Sequence, residues 1–272
     1  MSKFIVKYSE NQNTFDSHFT EKDIGFRTKN SDYFKKIVSF INTSIDQINF
    51  RIGTDGIYII SMDGSHIALL ECFIPKEFFS TYNVDKEILI GINLNILMKI
   101  LNHVKSNDEL IFKIDYNKDI VNLLFINEKY TKYYKLKLLE IDQDNLEIVD
   151  LENMIELTID SKYFNDIIKD FNDIGEDIKI NIDREKETIN FNCKGDMIDF
   201  SMNLNNDSLE YINLENIDLD FNIKYIQTFT KGNLSKNINI KLTNDFPLKM
   251  SYSILNNGYI NYYLAPKITD DE

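Results

Sequence analysis

The second half of this 272-residue chain repeats its first. The run Ser31, Tyr33, Phe34, Ile37, Val38, Ile41 returns 130 positions later as Ser161, Tyr163, Phe164, Ile167, Ile168, Phe171, each time followed by alternating, strand-like runs. Two similar units of roughly 120 residues each are implied, a size that can bury its own core. Each half also carries a second helical pattern: Leu94, Leu97, Met98 and Leu101 in the first, and more loosely Ile223, Ile226 and Phe229 in the second. Apolar side chains spaced i, i+3, i+4, i+7 fall on one stripe, so each of the four helices is expected to lie on a sheet with its other face in water. The fold class is therefore α+β, with antiparallel meanders and two helices per half.

The spacing predicts helices over 31–41, 93–103 with Asn93 as the cap, 161–171 and 222–230. Strands are expected near 48–52, 57–62, 66–73, 87–91, 110–115, 120–126 and 132–139, and again near 155–160, 178–183, 187–192, 196–204 and on to Leu264. The expected organisation is an unassigned N-terminal extension over 1–22, a first domain over 23–139, a linker over 140–150, a second domain over 151–268 and an acidic tail over 269–272. The extension mixes Phe4, Phe15 and Phe19 with charges and shows no clean period, which leaves a mobile arm and an added edge strand both open. The linker, EIDQDNLEIVD, is acidic yet keeps Leu146 and Ile148 at alternate positions; they either tack it to the sheet beneath or help bind a partner.

Several chemistries are excluded. No charged segment leads into an apolar core and cleavage site near Met1, and no apolar run approaches the ~20 residues of a membrane helix, so a soluble intracellular protein with no membrane contact is expected. Cys72 and Cys193 lack paired spacing and read as buried thiols, so neither metal nor other cofactor is expected. A calcium loop at Asp142 and Asp144 fails because Glu147 stands where the loop needs glycine. Ser61, Asp63, Ser65 and His66 have the composition of a hydrolytic triad, but neighbours on an extended segment point to alternate faces and cannot converge on one bond. No phosphate-cradling glycine loop is present, and no catalysis is expected. The net charge of −14 opposes a nucleic-acid partner unless the basic side chains are concentrated on one surface.

Three stretches are specific: SMDGSH from Ser61 to His66, running on into Ile67, Ala68 and Leu69; Phe246, Pro247, Leu248; and the C-terminal YYLAPKITDDE from Tyr262. With the repeat, the acidic linker, the turn Asp55 to Ile57, the run Ile90 to Asn95 and DIGED at Asp173 to Asp177, the chain resembles the eukaryotic-type sliding clamps, the PCNA family, over about residues 24–272. The resemblance implies a DNA-clamp fold: sheets outside, helices inside, and a homotrimer forming a pseudo-sixfold ring. Such a ring tethers DNA polymerase and other PIP-box proteins to duplex DNA without reading sequence. It implies a clamp loader as a further partner, and a nuclear location, or a cytoplasmic replication site for a viral protein. A clamp-like scaffold that does not encircle DNA, and a ring serving transcription, stay open as alternatives.

On that reading the wet helix faces line the hole and offer Lys35, Lys36, Lys99, Lys169, Lys224 and Lys231 to phosphate. Asn42, Asn102, Asp166 and Asp173 stand where animal members have basic or imidazole side chains, and Val149 where they have proline. The family's subunit contact falls on the strand bearing Tyr134, Leu136 and Leu138 and on the strand bearing Ile198, Phe200 and Met202, two edges that would pair between copies. Its client pocket falls on Met62, His66, Ile67, Leu69, Leu146, Ile148, Pro247, Tyr263, Ala265, Pro266, Lys267 and Ile268, where a peptide plugs a helical turn into an apolar surface and pairs its backbone with the C-terminal segment.

Overall fold

The computed structural model describes residues 18–142, 146, 148, 155–183, 185–186, 188–204, 216–244 and 246–267. Ile268, Asp144, Val149 and the acidic tail lie outside the described residues.

Apart from β5, which has no counterpart among the described residues of the second half, each half lays down the same series of elements. The first runs β1 (Ile24–Thr28), α1 (Ser31–Ile41), β2 (Gln47–Ile52), β3 (Gly56–Met62), β4 (Ala68–Pro75), β5 (Thr81–Asn83), β6 (Ile88–Asn93), α2 (Leu94–Leu101), β7 (Glu109–Asp115), β8 (Ile120–Asn127) and β9 (Tyr130–Lys137). The second runs β10 (Ile155–Asp160), α3 (Ser161–Asn172), β11 (Asp177–Asp183), β12 (Thr188–Lys194), β13 (Asp199–Leu204), β14 (Ile217–Asn222), α4 (Ile223–Thr230), β15 (Asn237–Leu242), β16 (Leu248–Ile254) and β17 (Gly258–Leu264). Three helices start on a side chain that accepts an otherwise orphaned N–H: Asn93 from Ile96 at 3.0 Å, Asp160 from Tyr163 at 2.9 Å and Asn222 from Lys224 at 3.0 Å.

The strands form three antiparallel sheets in the orders β5-β1-β7-β8-β9, β10-β15-β16-β17-β4-β3-β2-β6 and β13-β12-β11-β14. The eight-stranded sheet is shared between the halves, because β17 hydrogen-bonds β4 with Tyr262 opposite Leu70 and Leu264 opposite Ala68. The halves are therefore fused along a seam rather than hung on the linker. Their cores merge as well. Phe40 of α1 meets Phe229 of α4 edge-on at 5.1 Å, and Phe229 stacks on Tyr252 at 4.9 Å and Tyr262 at 5.1 Å. Gly232, just after α4, makes this approach possible, since a Cβ there would sit 2.3 Å from the Phe40 ring. With α2 packed on α1 and α3 on α4, the four helices form one continuous layer in the order α2-α1-α4-α3.

The stripe of α3 is formed by Phe164, Ile167, Ile168 and Phe171, and Tyr163, which flanks it, is 49% exposed. One local expectation needs correction. The strand expected from His66 begins at Ala68, because residues 63–67 are held in a turn with His66 at φ +57°.

Candidate nucleic-acid and partner surfaces

The solvent side of the helix layer carries the expected lysines. Lys36, Lys99, Lys169, Lys224 and Lys231 are exposed and Lys35 is half-buried. Lys162, also exposed on α3, escaped the sequence reading. The cations are not equivalent. Lys169 donates to Asp166 one turn back at 3.0 Å, so part of its charge is met within the helix. Neutral amides separate the lysines: Asn95 at the start of α2 donates to Asp46 at 2.9 Å and accepts from Asn42 at 3.2 Å.

Among the described residues β9 and β13 each end a sheet with one backbone edge unpaired. On β9, Tyr134 and Leu136 point inward while Tyr133, Lys135 and Lys137 are exposed; on β13, Phe200 and Met202 point inward while Asp199 and Ser201 are exposed. Leu136 is buried in its own subunit's core and Leu138 packs against it, so neither is a free contact side chain. Tyr134 is only partly covered. Its ring lies 5.3 Å from Phe125 and 5.7 Å from His103, and its hydroxyl is 3.1 Å from His103 Nδ1. Phe200 rests 4.5 Å from Phe171, and Ile198, just before β13, is 59% exposed.

The stretch Ser61 to Leu69 is built around one carboxylate. Asp63 Oδ1 accepts from the backbone N–H of Ile67 at 2.8 Å and Ala68 at 2.7 Å, Oδ2 accepts from Ser65 at 3.1 Å, and the Tyr225 hydroxyl of α4 donates to Oδ2 at 3.3 Å. Partial burial works against ionisation, but these donors outweigh it and hold the carboxyl below the ordinary aspartate value. Asp63 is thus committed to backbone and cannot orient His66, which removes the triad geometrically. His66 sits exposed on the rim of the turn, and Ile67, 41% exposed, presents an apolar side chain outward.

Beside that turn, Met62, Leu69 and Tyr263 are directly opposed across β3, β4 and β17, forming a half-buried apolar row on the outer face of the shared sheet. Glu71 anchors the aromatic end of this surface by accepting from Tyr263 at 3.1 Å, Asn261 at 2.8 Å and Tyr259 at 2.9 Å. The chain after β17 is tied at two points: Ala265 N donates to Ile67 O at 3.1 Å, and Lys267 N to Asp220 O at 2.7 Å. Lys267 Nζ also meets Asp177 at 2.5 Å, a hydrogen bond that raises its pKa. Pro247, Ala265 and Pro266 are half-buried, as are Leu146 and Ile148 of the linker. The linker's start is fastened where Leu139 bridges Gly91 and Asn49 donates to Ile141 O at 3.0 Å.

Asp63, Glu71, Asp177 and Tyr225 were missed as residues that position this surface. Asp63, inside SMDGSH, and Asp177, at the end of DIGED, had a sequence signal; Glu71 and Tyr225 had none. A cavity of about 820 Å³ adjoins the C-terminal end of this surface, lined by Asp177, Lys179, Asp220 and Lys267, and another of about 600 Å³ is lined by Lys29, Asp108, Glu109 and Asn127; both are lined mainly by polar residues, whereas the Met62 row is an open apolar surface. Among the described residues no three His, Cys, Asp or Glu side chains group as a metal site, and no helix is long and apolar enough to cross a membrane.

Residues 24–147 match the family model for the N-terminal domain of proliferating cell nuclear antigen, and residues 147–267 the model for its C-terminal domain. The chain is 34% identical over 257 residues to the proliferating cell nuclear antigen of Chaetomium thermophilum, covering 90% of this chain and 98% of that one. The crystal structure of the protein of that name from Entamoeba histolytica superposes with a TM-score of 0.83 at 28% identity, over 90% of this chain and 99% of the other.

Proposed function

Because the chain belongs to the proliferating cell nuclear antigen family of DNA sliding clamps, we propose that its helix layer is the surface that meets duplex DNA and that β9 of one copy pairs with β13 of the next to close the ring. The protein is a sliding clamp and not an enzyme. Its partners are duplex DNA, further copies of itself in a homotrimer, DNA polymerase and other PIP-box proteins, in keeping with a clamp loader, and its role is at sites of replication. The nucleus, or a cytoplasmic replication site for a viral protein, is the compartment proposed.

The observation that carries the ring is the repeated sheet order. β10-β15-β16-β17 repeats β1-β7-β8-β9, and β13-β12-β11-β14 repeats β4-β3-β2-β6. Within the chain, β17 closes on β4, so the equivalent strands still lacking a partner are β9 and β13. The register carries over too. Tyr134 stands in β9 where Tyr262 stands in β17, each third in a cross-strand row, and Phe200 stands in β13 where Leu70 stands in β4. Since Tyr262 opposes Leu70, Tyr134 falls opposite Phe200 of the next copy; one step along, Lys135 falls opposite Asp199, and Leu136 opposite Ile198, which covers an otherwise exposed side chain. Exchanging the charges tests this. Lys135→Asp alone is expected to weaken the trimer in light scattering across a dilution series, and Asp199→Lys in the same chain to restore it. Failure of the second change to restore it refutes the register.

The client surface is proposed at Met62, His66, Ile67, Leu69, Pro247, Tyr263, Ala265, Pro266 and Lys267, with Leu146 and Ile148 above it and Ile268 continuing it. An apolar row flanked by an ordered backbone edge suits a peptide that fills a groove and adds a strand. Leu69→Ser is expected to reduce binding of a PIP-box peptide in calorimetry with ring mass unchanged. Unchanged peptide affinity would remove the site from this row.

A further inference from the structure

The N-terminal extension precedes the matched region, yet its last residues are built onto the fold. Phe19, only 7% exposed, packs with Ile111, Leu124 and Ile126 on the outward face of β7 and β8, in a small cluster separate from the main core. Thr20 donates backbone N–H and hydroxyl to Asp23, Asp23 pairs with Lys113, and Asn83 donates to Thr20 O at 3.1 Å. Residues 18–23 are thus a fastened strap.

The strap has a heading. Ile24 lies on β1 opposite Ile114 of β7, while Phe19, five residues earlier, already lies over β7 and β8. Read toward Met1, the chain crosses the strands in the order β1, β7, β8, and the next strand is β9. Beyond the free edge of β9 comes β13 of a second copy, on the ring reading proposed above, on which this inference rests. The 17 residues before His18 can span up to about 55 Å, against about 20 Å for a four-stranded sheet.

We propose that residues 1–17 are an arm that reaches over the subunit boundary and docks on the outward face of the neighbouring copy's four-stranded sheet. Charge favours this occupant. Residues 1–9 carry Lys3 and Lys7 and no acid, while Glu10 and Asp16 follow nearer the strap. The outward positions of β11 to β14 carry Asp177, Asp183, Asp199, Asp218 and Asp220 against Lys179 and Lys194. Part of that negative charge is met on the sheet itself, where Lys179 lies between Asp218 and Asp220, Lys186 meets Asp183 and Lys267 meets Asp177. Met197, 94% exposed at the turn into β13, offers an apolar foothold at the near edge for the Phe4 to Val6 segment. The arm adds a second hold on the ring that does not depend on the β9–β13 ladder.

The test compares the full chain with deletion of residues 2–17, which leaves the Phe19 cluster in place, and with Lys3→Glu/Lys7→Glu. Mass photometry across a dilution series reads the concentration of half-dissociation. The deletion is expected to raise it about tenfold and the double substitution about threefold, the scale of a few rim ion pairs and one apolar contact. Hydrogen exchange is expected to rise on β12 and β13 of the deleted protein. Equal dissociation with and without the arm overturns the proposal while leaving the ring intact. So does a deletion that lowers thermal stability without moving dissociation, since the arm then lies on its own copy. A full chain that is monomeric at every concentration overturns the ring reading and the arm with it.

Discussion

Removing one lysine from the helix layer should change the salt dependence of DNA binding by an amount that depends on that lysine's neighbours. Each phosphate neutralised contributes about 0.9 to the slope of log affinity against log salt. Lys99→Ala in a closed trimer removes three exposed ammonium groups and should flatten the slope by up to about 2.7. Across a fourfold rise in salt, the mutant's loss of affinity should then be smaller than the wild type's by about 40-fold. Lys169→Ala should do less than half as much, because that ammonium already meets Asp166 at 3.0 Å. Asp166→Asn should act with the opposite sign, freeing Lys169, strengthening binding at low salt and steepening the slope. The assay is fluorescence anisotropy of an end-blocked duplex over a salt series, with ring mass confirmed for each variant. An unchanged slope in an intact Lys99→Ala ring, or weaker binding by Asp166→Asn, would refute the assignment of these faces to DNA.

Tyr134→Ala should convert ring to monomer, since it removes a half-buried aromatic from the inward side of the β9 edge; a trimer persisting at low micromolar concentration in light scattering would sink the interface. Asp63→Asn should weaken a PIP-box peptide five- to tenfold in calorimetry, because one amide oxygen cannot hold three backbone donors and Tyr225 as a carboxylate does. The Asp63 carboxyl is held below its free value of 3.8 in the fold, so its stabilisation of the turn is complete above that value and lost as pH falls through the lower folded value. Peptide binding to the wild type should therefore stay level from neutral pH down to about 4 and fail below it, a profile that titration calorimetry checks. Cys72 and Cys193 are buried, and burial pushes both thiols up, so iodoacetamide should label neither until the chain unfolds; rapid labelling in mass spectrometry under native conditions would contradict that packing.

The helices were legible because a 3.6-residue period leaves its mark on adjacent residues, as at Phe34, Ile37, Val38 and Ile41. Asn93 was legible as a cap for the same local reason, and the Asp166–Lys169 pair could have been read from its spacing. The start of β4 was not, because the alternation of His66 to Leu69 continues through a turn that Asp63 creates by gathering N–H groups two to five residues ahead. Nor was the seam between the halves. The pairing of Leu70 with Tyr262 joins residues almost 200 positions apart, and nothing in either strand names its partner. The alternation along β9 and β13 separated Tyr134 and Leu136 from Tyr133 and Lys135, and Phe200 and Met202 from Asp199 and Ser201, yet the sequence alone could not tell that Leu136 would be consumed by its own core.

Equivalent strands meet at two kinds of seam, one inside the chain and one between copies, so the outward row at each can be compared. Inside the chain it is Met62, Leu69 and Tyr263. At the proposed seam between copies, the same places hold Lys194, Asp199 and Lys135. An aliphatic and aromatic row gains from covering by a peptide's apolar side chains, whereas Lys, Asp and Lys would have to be stripped of water to accept them. In a ring closed as proposed, the backbone plan offers six seams, and three of them carry the apolar row proposed for clients. The other three would carry Lys194, Asp199 and Lys135, charges suited to setting the register between copies, which gives one proposed client site per chain.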